Sequence, residues 1–453
     1  MNRWNAFRLL VFLLPLPFGL DTGWAWSLAG AWVFTLLALE FRERLLDQQL
    51  RQLPTLPTPI AFQKAALPLA LIWLVQAWAL VQWLLVSLSP HDSLLSLTKG
   101  VTYAGFFTLA LMMIDNRQRV REIIWMVVLA AAFQALYGSF MVLSGLEYGF
   151  FTEKEKYTGV ATGTFLNRNH LAGYMELSLA LGVGLLLAQP TEYFGSVRQR
   201  LRQLIRMLLS SKVILRLLLA ILVIALVLSR SRMGNTAFFA SLMIAGALAL
   251  FLMRNKTTAT TVLLGSLLVI DIAIVGTFFG VDKVAERLQK TSTDTESRDE
   301  VTRDTLNLFK EQPLVGMGAG TFIYVYPALK SDDVTSDRYY NHAHNDYAQF
   351  LAEFGLPATL ALGGIVVWSL WQGLVAMRQR NSRFYQGVGF ASTMAIIAFA
   401  MHSTVDFNLQ IPANAMTFLL ILALAGIARW TPHVTTEKSR RRSSRSSKPR
   451  TVS

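Results

Sequence analysis

Long, nearly uninterrupted runs of apolar residues dominate this sequence and restrict the folds open to it. Runs of about 18 or more such residues are typical of membrane-spanning helices. Only 15% of the residues are charged, against roughly a quarter in soluble proteins, so a soluble enzyme, a disordered chain and a fibrous repeat are excluded. About twelve spans are predicted, at residues 7–20, 23–40, 66–88, 97–114, 123–145, 170–189, 213–229, 235–253, 258–280, 356–376, 387–405 and 412–428.

The positions of Lys and Arg predict how these helices are oriented. Cytoplasmic loops are enriched in both residues, and the segments that carry them are 41–65, 115–122, 190–212, 254–257, 377–386 and the tail. Both termini are therefore expected in the cytoplasm, with an even number of spans. The net charge of +14 reflects this asymmetry. We interpret the basic tail as attracted to lipid head groups, and nucleic acid is not an expected partner.

One predicted outer loop, residues 281–355 (the long loop), differs from the rest of the chain. It carries 8 Lys and Arg against 13 Asp and Glu, a net charge of −5. Apolar residues at helical spacing predict a helix near 281–288. Ser297 with Glu300 predicts a capping box that opens a second helix, which Pro313 ends.

A glycine-rich turn, residues 316–320, is expected to follow, and then a third helix over about 341–354 that Gly355 stops. The fold class is thus an all-α integral membrane protein with a helical periplasmic subdomain in one long loop. Five domains are predicted. Residues 1–160 and 161–280 contain membrane spans, and the second of these ranges also carries the outer-face Asn and Arg motifs. Residues 281–355 form the periplasmic helices, residues 356–430 form further spans, and residues 431–453 form a basic disordered tail.

Two of the six histidines, His342 and His344, precede the tenth span. Three interpretations fit them: a metal site with His170 or His402, surface or capping histidines, and a general base. A metal site needs three or four ligands, and no third ligand is near in the sequence. A general base is favoured, because an ordinary imidazole pKa of about 6.5 suits proton removal from a hydroxyl. On the predicted helix, Tyr347 shares the face of His344.

Arginines at the outer ends of spans form a second group of candidates. Arg230 and Arg232 lie between two spans, where the positive-inside rule disfavours them. Their partner is either a carboxylate of the long loop or a phosphate, which suits the planar guanidinium. Arg298 and Arg303, on the second long-loop helix, form a solvated face if they act alone, or clamp a diphosphate together with Arg232.

Other polar groups at or within the predicted membrane are open to several interpretations. The segment 163–170 contains Asn and Arg residues that suit sugar or phosphate binding and equally suit helix capping, with Asn169 as the expected N-cap. Asp406 and Asn408 follow the eleventh span and are equally undecided. Asp271, inside the ninth span, is without an explanation. Together the arginines, a histidine and asparagines suggest a site for a lipid-linked pyrophosphate donor and a hydroxyl acceptor.

The sequence resembles the O-antigen ligase and O-antigen polymerase superfamily, which comprises polytopic bacterial membrane glycosyltransferases. The resemblance covers roughly residues 160–430. It is carried by Thr164-Phe-Leu-Asn-Arg-Asn-His170, Ser231-Arg-Met-Gly234, Ser297-Arg298, Glu311-Gln-Pro-Leu-Val-Gly-Met-Gly-Ala-Gly-Thr-Phe322, His344-Asn345, Gln349-Phe-Leu-Ala-Glu-Phe-Gly-Leu356 and Ser403-Thr-Val-Asp-Phe407.

The resemblance implies an inverting, metal-independent and cofactor-independent transfer of a glycan from undecaprenyl diphosphate, at the periplasmic face of the inner membrane. The acceptor is a lipid A-core sugar in ligases, another lipid-linked glycan in polymerases, and Ser or Thr in related protein-glycosylating enzymes. By resemblance the catalytic residue is His344 and the diphosphate-binding residues are Arg232 and Arg298, with Arg230 as a competing register. The residue patterns themselves suggest substrate-binding or supporting roles for Asn167, Arg168, His170, His342, Asn345, Tyr347 and Arg303.

A ligase is preferred, with an O-antigen or exopolysaccharide polymerase close behind. The alternatives from other classes are a transporter and a structural membrane scaffold. Transporters usually show internal repeats and polar groups near the middle of the bilayer. Here no repeat is seen, and the polar groups collect at one face.

Overall fold

A computed structural model describes residues 2–50, 58–150, 152–189, 211–253, 265, 297–334 and 339–432. Within these ranges the chain is almost entirely helical, and its β-structure is one hairpin. The prediction of an all-α membrane protein is therefore confirmed. The elements are α1 (Arg3–Leu13), α2 (Gly23–Leu50), α3 (Ile60–Lys64), α4 (Ala66–Leu85), α5 (Pro90–Met113), α6 (Arg117–Ser144), β1 (Tyr148–Gly149), β2 (Thr152–Glu153), α7 (Arg168–Leu187), α8 (Ser211–Leu228), α9 (Arg232–Leu252), α10 (Arg298–Glu311), α11 (Phe322–Leu329), α12 (Asp346–Gln379), α13 (Arg383–His402) and α14 (Pro412–Trp430).

Nine helices in the described ranges are long and apolar enough to cross a membrane, namely α2, α4, α5, α6, α7, α9, α12, α13 and α14. Each coincides with a predicted span, and the predicted span at 213–229 is the helix α8. The first run differs, because the 11 residues of α1 extend only about 16 Å, half the hydrocarbon core. Apart from residue 265, the run 258–280, with Asp271, lies outside the described residues, so the count of twelve stays a prediction.

Three helices, α7, α13 and α14, form the centre of the bundle and are buried along nearly their whole length. The helices α7 and α13 are in backbone contact at Gly184 and Gly387, where a Cβ on either residue would lie 2.3 Å from the carbonyl oxygen of the other. Small residues permit such close approach between membrane helices. The contact fixes the relative position of two helices that carry His170 and His402 at neighbouring ends.

The described part of the long loop has an apolar cluster of its own. The second predicted helix is present as α10, but the predicted capping box is wrong, because Ser297 adopts φ 42° and its side chain makes no capping hydrogen bond. A helix that was not predicted, α11, follows the glycine-rich turn. The helix predicted near 281–288 lies outside the described residues. The cluster contains Val301, Leu308, Met317, Phe322, Tyr326, Val334, Tyr340, Ala343 and Ala352.

The third predicted long-loop helix begins at Asp346, so its predicted start at 341 is wrong. The Asn345 side chain caps it by accepting a hydrogen bond from the backbone N–H of Ala348. Capping by an Asn side chain satisfies one of the N–H groups that a helix start leaves without an intrahelical acceptor. Residues 341–345 (the histidine segment), which contain His342 and His344, are therefore an irregular chain placed directly before the helix.

Gly355 divides α12 into a short outer part and a membrane-spanning part. Its φ of 76° and ψ of 171° interrupt the helix, which releases the carbonyl groups of Ala352 and Glu353. The backbone N–H groups of Met317 and Gly318 donate to these two carbonyls at 2.9 and 3.1 Å. Irregular backbone at membrane depth is stable only where protein satisfies it, so the glycine-rich turn holds the outer part of α12 in place.

Candidate functional site

Asn345 fixes the position of the neighbouring His344. Besides capping α12, its side-chain amide donates to the carbonyl oxygen of Thr404 at 3.0 Å, which joins the histidine segment to the turn after α13. His344 has φ 52°, a conformation that few residues other than glycine adopt. Its side chain is 21% exposed. The helical face predicted to be shared by His344 and Tyr347 is wrong, since His344 precedes the helix.

Asp406 lies buried beneath His344 in the turn that joins α13 to α14. One carboxyl oxygen, Oδ1, is 3.9 Å from Nδ1 of His344, and the other, Oδ2, is 3.7 Å from Nε2 of His402. Burial raises the pKa of the Asp406 carboxyl, but the side chain of His402 and the nearby positive charge of Arg298 outweigh burial and hold the pKa below its usual range. Asp406 is therefore placed between two imidazoles, in surroundings that favour its anionic form.

Asp346 fastens this turn to the start of α12. Its backbone N–H donates to the carbonyl oxygen of Ser403 at 2.9 Å. Its Oδ2 accepts hydrogen bonds from the Ser403 hydroxyl at 2.9 Å and from the Leu409 N–H at 3.2 Å. A buried carboxyl that accepts several hydrogen bonds holds its surroundings in one arrangement, so the spacing between His344 and Asp406 is built into the fold.

Three histidine rings pack around Phe407. His342 stacks on it with ring centroids 4.4 Å apart, while His170 and His344 contact it edge-on at 4.8 and 4.9 Å. His170 belongs to α7, so this contact brings the segment 163–170 to the histidine segment. Phe407 therefore holds three of the sequence-predicted imidazoles around one point.

His342 and His344 differ in their surroundings. Nδ1 of His342 is 3.1 Å from Nε2 of Gln349. Burial, together with the positive charges of protonated His170 and His344 and of Lys99, lowers the pKa of His342 to about 3. His342 is thus held by Gln349, whereas the imidazole of His344 faces Asp406.

Arg298 reaches the same turn from the long loop. It is the first residue of α10, and its guanidinium donates to the carbonyl oxygen of Val405 at 3.0 Å. Val405 directly precedes Asp406, the carboxylate that faces His344. The structure thus brings Arg298 and His344 together on one short turn.

Arg232 occupies the corresponding position on another helix, as the first residue of α9. The preceding Ser231 caps α9 by accepting from the N–H of Gly234 at 3.3 Å. A Cβ on Gly234 would lie 3.2 Å from a carboxyl oxygen of Glu176 in α7, so the start of α9 packs directly on α7. Arg230 precedes this helix with φ 52° and an exposed side chain.

The region that carries most of these residues matches a known family. Residues 217–363 match the family model described as O-antigen ligase. This region belongs to the O-antigen ligase and polymerase superfamily. The resemblance seen in the sequence is thus confirmed, and the match contains Arg230, Arg232, Arg298 and His344. No curated protein matches the chain at a significant level.

Arg303 and Tyr347, two further predicted site residues, each form hydrogen bonds with other groups of the protein. Arg303 bonds both carboxyl oxygens of Asp333 at 2.8 Å and also bonds Asp304. The Tyr347 hydroxyl donates to the carbonyl oxygen of Ala400 at 2.9 Å. These contacts place Arg303 in an ion-pair cluster of the long loop, away from the turn that Arg298 joins.

The segment before α7 is capped differently from the prediction. Asn167 is the N-cap, because its side chain accepts from the N–H of Asn169 at 2.9 Å, so the assignment of Asn169 as the cap is wrong. The Arg168 guanidinium lies 5.7 Å from the ring centre of Tyr157, in the range of a cation–π contact. His170, in the first turn of α7, packs against Phe407.

Sequence reasoning missed the most buried part of the site. Oε1 of Glu176 in α7 lies 2.7 Å from Nδ1 of His402, within hydrogen-bond distance. Both side chains are almost completely buried. A lone carboxylate inside an apolar span is by itself a functional suspect, and Glu176 inside the sixth predicted span is such a signal. For His402 the sequence suggests only a role as a metal ligand. Among the described residues, no group of three or more His, Cys, Asp or Glu side chains is arranged to hold a metal ion.

A cavity of about 410 Å³ opens beside the histidine segment, between α4, α5, α12 and α14. Its body is apolar, and its polar end contains both charged and amide groups. The apolar wall includes Val75, Leu95, Ile365, Phe418 and Leu422, and the polar end includes Asp21, Lys99, Asn341, His342, Gln349 and Glu353.

Proposed function

We propose that the protein is an O-antigen ligase-like glycosyltransferase of the bacterial inner membrane. It transfers a glycan from undecaprenyl diphosphate to an acceptor hydroxyl of lipid A-core at the periplasmic face, with inversion and without a metal ion. The observation that carries this proposal is the convergence of His344 and Arg298, both in the region matched to the O-antigen ligase family, on the turn around Asp406.

His344 is the proposed general base. The acceptor oxygen attacks the anomeric carbon of the donor sugar, and its proton passes to the imidazole of His344. The bond between that carbon and the diphosphate oxygen breaks, and undecaprenyl diphosphate leaves with the electron pair. An anionic Asp406 behind His344 orients the imidazole and stabilises the imidazolium that forms, which is the usual contribution of a carboxylate paired to a catalytic histidine.

Arg232 and Arg298 are the proposed diphosphate ligands. Each is the first residue of a helix, where backbone N–H groups and the helix dipole also favour an anion. A guanidinium has five N–H donors, so the bond from Arg298 to Val405 is compatible with a phosphate ligand. Positive groups placed where negative charge develops on the leaving group lower the barrier to transfer.

The cavity beside His342 supports a substrate with a long apolar chain. Its apolar body lies among helices that can span the membrane, and its polar end adjoins the histidine segment. A polyprenyl chain in this position places the attached diphosphate and sugar near the level of the site. The cavity therefore favours a lipid-linked substrate over a soluble nucleotide sugar.

A chromosomal deletion, complemented by wild type or by His344→Ala, tests the proposal through the glycolipids that accumulate. A ligase predicts lipid A-core without any polymer in the deletion strain, restored by wild type and not by His344→Ala. A single repeat unit left on lipid A-core would replace the ligase assignment by a polymerase. Unchanged lipopolysaccharide together with unchanged exopolysaccharide would contradict the proposal.

A further inference from the structure

A continuous row of acidic and imidazole groups runs from the membrane interior to His344. Nδ1 of His402 lies 2.7 Å from a carboxyl oxygen of Glu176, and its Nε2 faces Asp406 at 3.7 Å. Asp406 in turn lies 3.9 Å from Nδ1 of His344. The order along the row is carboxyl, imidazole, carboxyl, imidazole, and only the last member has substantial exposure.

The rigid part of the bundle holds the buried end of this row. Glu176 belongs to α7 and His402 to the last turn of α13, the two helices that contact each other at Gly184 and Gly387. The side chains of Glu176, His402 and Asp406 are at most 1% exposed. Buried charges are stable only when they are paired, so one carboxylate at each nitrogen of His402 favours its protonated form.

We propose that Glu176 and His402 are positioning residues that keep a proton on His402 and thereby keep Asp406 ionised beside His344. Neither residue lies at the exposed end of the row, so both act through Asp406. This proposal rests on the proposed function because it takes His344 to be the general base. The charge state of the row is measurable without turnover.

Other charged groups near the row contribute to its titration. Asp406 is also within electrostatic range of His170 and Arg298, and His402 is within range of Asp346 at the start of α12. None of these groups contacts both Glu176 and Asp406 as His402 does. Direct electrostatic effects on His344 would differ in sign between loss of a cation at His402 and loss of an anion at Glu176, so a shift in the same direction in both variants indicates transmission through Asp406. An ionised Asp406 favours the protonated imidazole of His344, and a neutral Asp406 does not.

Carbethoxylation by diethyl pyrocarbonate measures this effect, since only a neutral imidazole reacts. The purified protein in detergent is treated across a pH series, and the rate at His344 is followed by peptide mass spectrometry. His402→Gln should lower the pH midpoint of His344 modification by about one unit. Glu176→Gln should lower it in the same direction, and Asp406→Asn at least as much as either.

Two controls separate this result from a general disturbance of the bundle. Ser178→Ala removes a buried hydroxyl that donates to the Tyr174 carbonyl two residues from Glu176, and it should leave the His344 midpoint unchanged. The exposed His91 serves as an internal reference in every sample. An unchanged His344 midpoint in the Glu176 and His402 variants, or an equal shift in Ser178→Ala, would overturn the proposal.

The design separates failure of this proposal from failure of the proposed function. The modification midpoint does not depend on glycan transfer, so it shifts as described even if the chain transfers no glycan. A shift in the Glu176 and His402 variants without one in Asp406→Asn would contradict transmission through Asp406. Three variants probe the same charge, so the measurement survives if one of them fails to fold.

Discussion

Two arginines at helix starts are the residues on which donor binding depends in the proposed mechanism. Arg298→Ala or Arg232→Ala removes charge-assisted hydrogen bonds worth about 1.5–3 kcal/mol, so donor affinity should fall by about 10- to 100-fold. Lysine at either position should rescue only part of the loss, because an ammonium cannot bond a phosphate in the bidentate geometry of a guanidinium. Binding of a lipid-linked diphosphate to the purified variants measures this.

Arg378→Ala is the matched control for the arginine variants. Arg378 is exposed in the last turn of α12, at the end opposite to His344, and its loss changes the net charge by the same amount. Donor affinity should be unchanged in this variant. Normal affinity in both site variants would show that the diphosphate binds elsewhere.

At the scale of a single element, the break in α12 decides where the histidine segment lies. Gly355→Ala places a Cβ 2.4 Å from the Leu314 carbonyl oxygen in a backbone with positive φ. The strain should lower the free energy of unfolding by about 2 kcal/mol or more. Thermal unfolding of the purified variant should show the loss of stability. Transfer should also be reduced, because the outer part of α12 begins directly after His344 and the capping residue Asn345.

Gly363→Ala is the control on the same helix. A Cβ at this position meets no atom within 4 Å, and alanine has a better helix propensity than glycine. Its unfolding temperature should be equal to or above that of the wild type. Equal tolerance of alanine at both positions would mean that the helix is not interrupted at Gly355.

Helices were predictable at the element scale, whereas their exact starts were not. Spans follow from the length of apolar runs, which is a property of the sequence alone. The start of α12 depends on Asn345, whose side chain caps the helix while its amide bonds Thr404, 59 residues further along the chain. Ser297 fails to form its predicted capping box because it adopts a left-handed backbone conformation. Such choices depend on tertiary contacts and are invisible to local patterns.

At the scale of the whole molecule, the exposed part of the site was predictable and its buried support was not. His344, Arg232 and Arg298 stand in recognisable motifs. Glu176 and His402 are separated by 226 residues and become partners only when α7 and α13 pack together. Phe407 ends one of the motifs that carry the resemblance, but nothing in the local sequence predicts that three imidazoles meet at its ring.

The predicted orientation can be tested with single cysteines, since the chain contains none. Lys310→Cys, in the exposed face of α10, should react with a membrane-impermeant maleimide in intact spheroplasts. Gln118→Cys, exposed at the start of α6, should react only after permeabilisation, because 115–122 is a predicted cytoplasmic loop. The reverse labelling pattern would place the histidine site in the cytoplasm.

The rate of glycan transfer by His344→Ala, measured in a single turnover with bound donor, tests the central claim most directly. General-base catalysis contributes about 10²- to 10⁴-fold, so the rate should fall by at least about 100-fold while donor affinity and unfolding temperature stay near wild type. His91→Ala should leave all three values unchanged. A transfer rate in His344→Ala equal to that of the wild type would contradict the account.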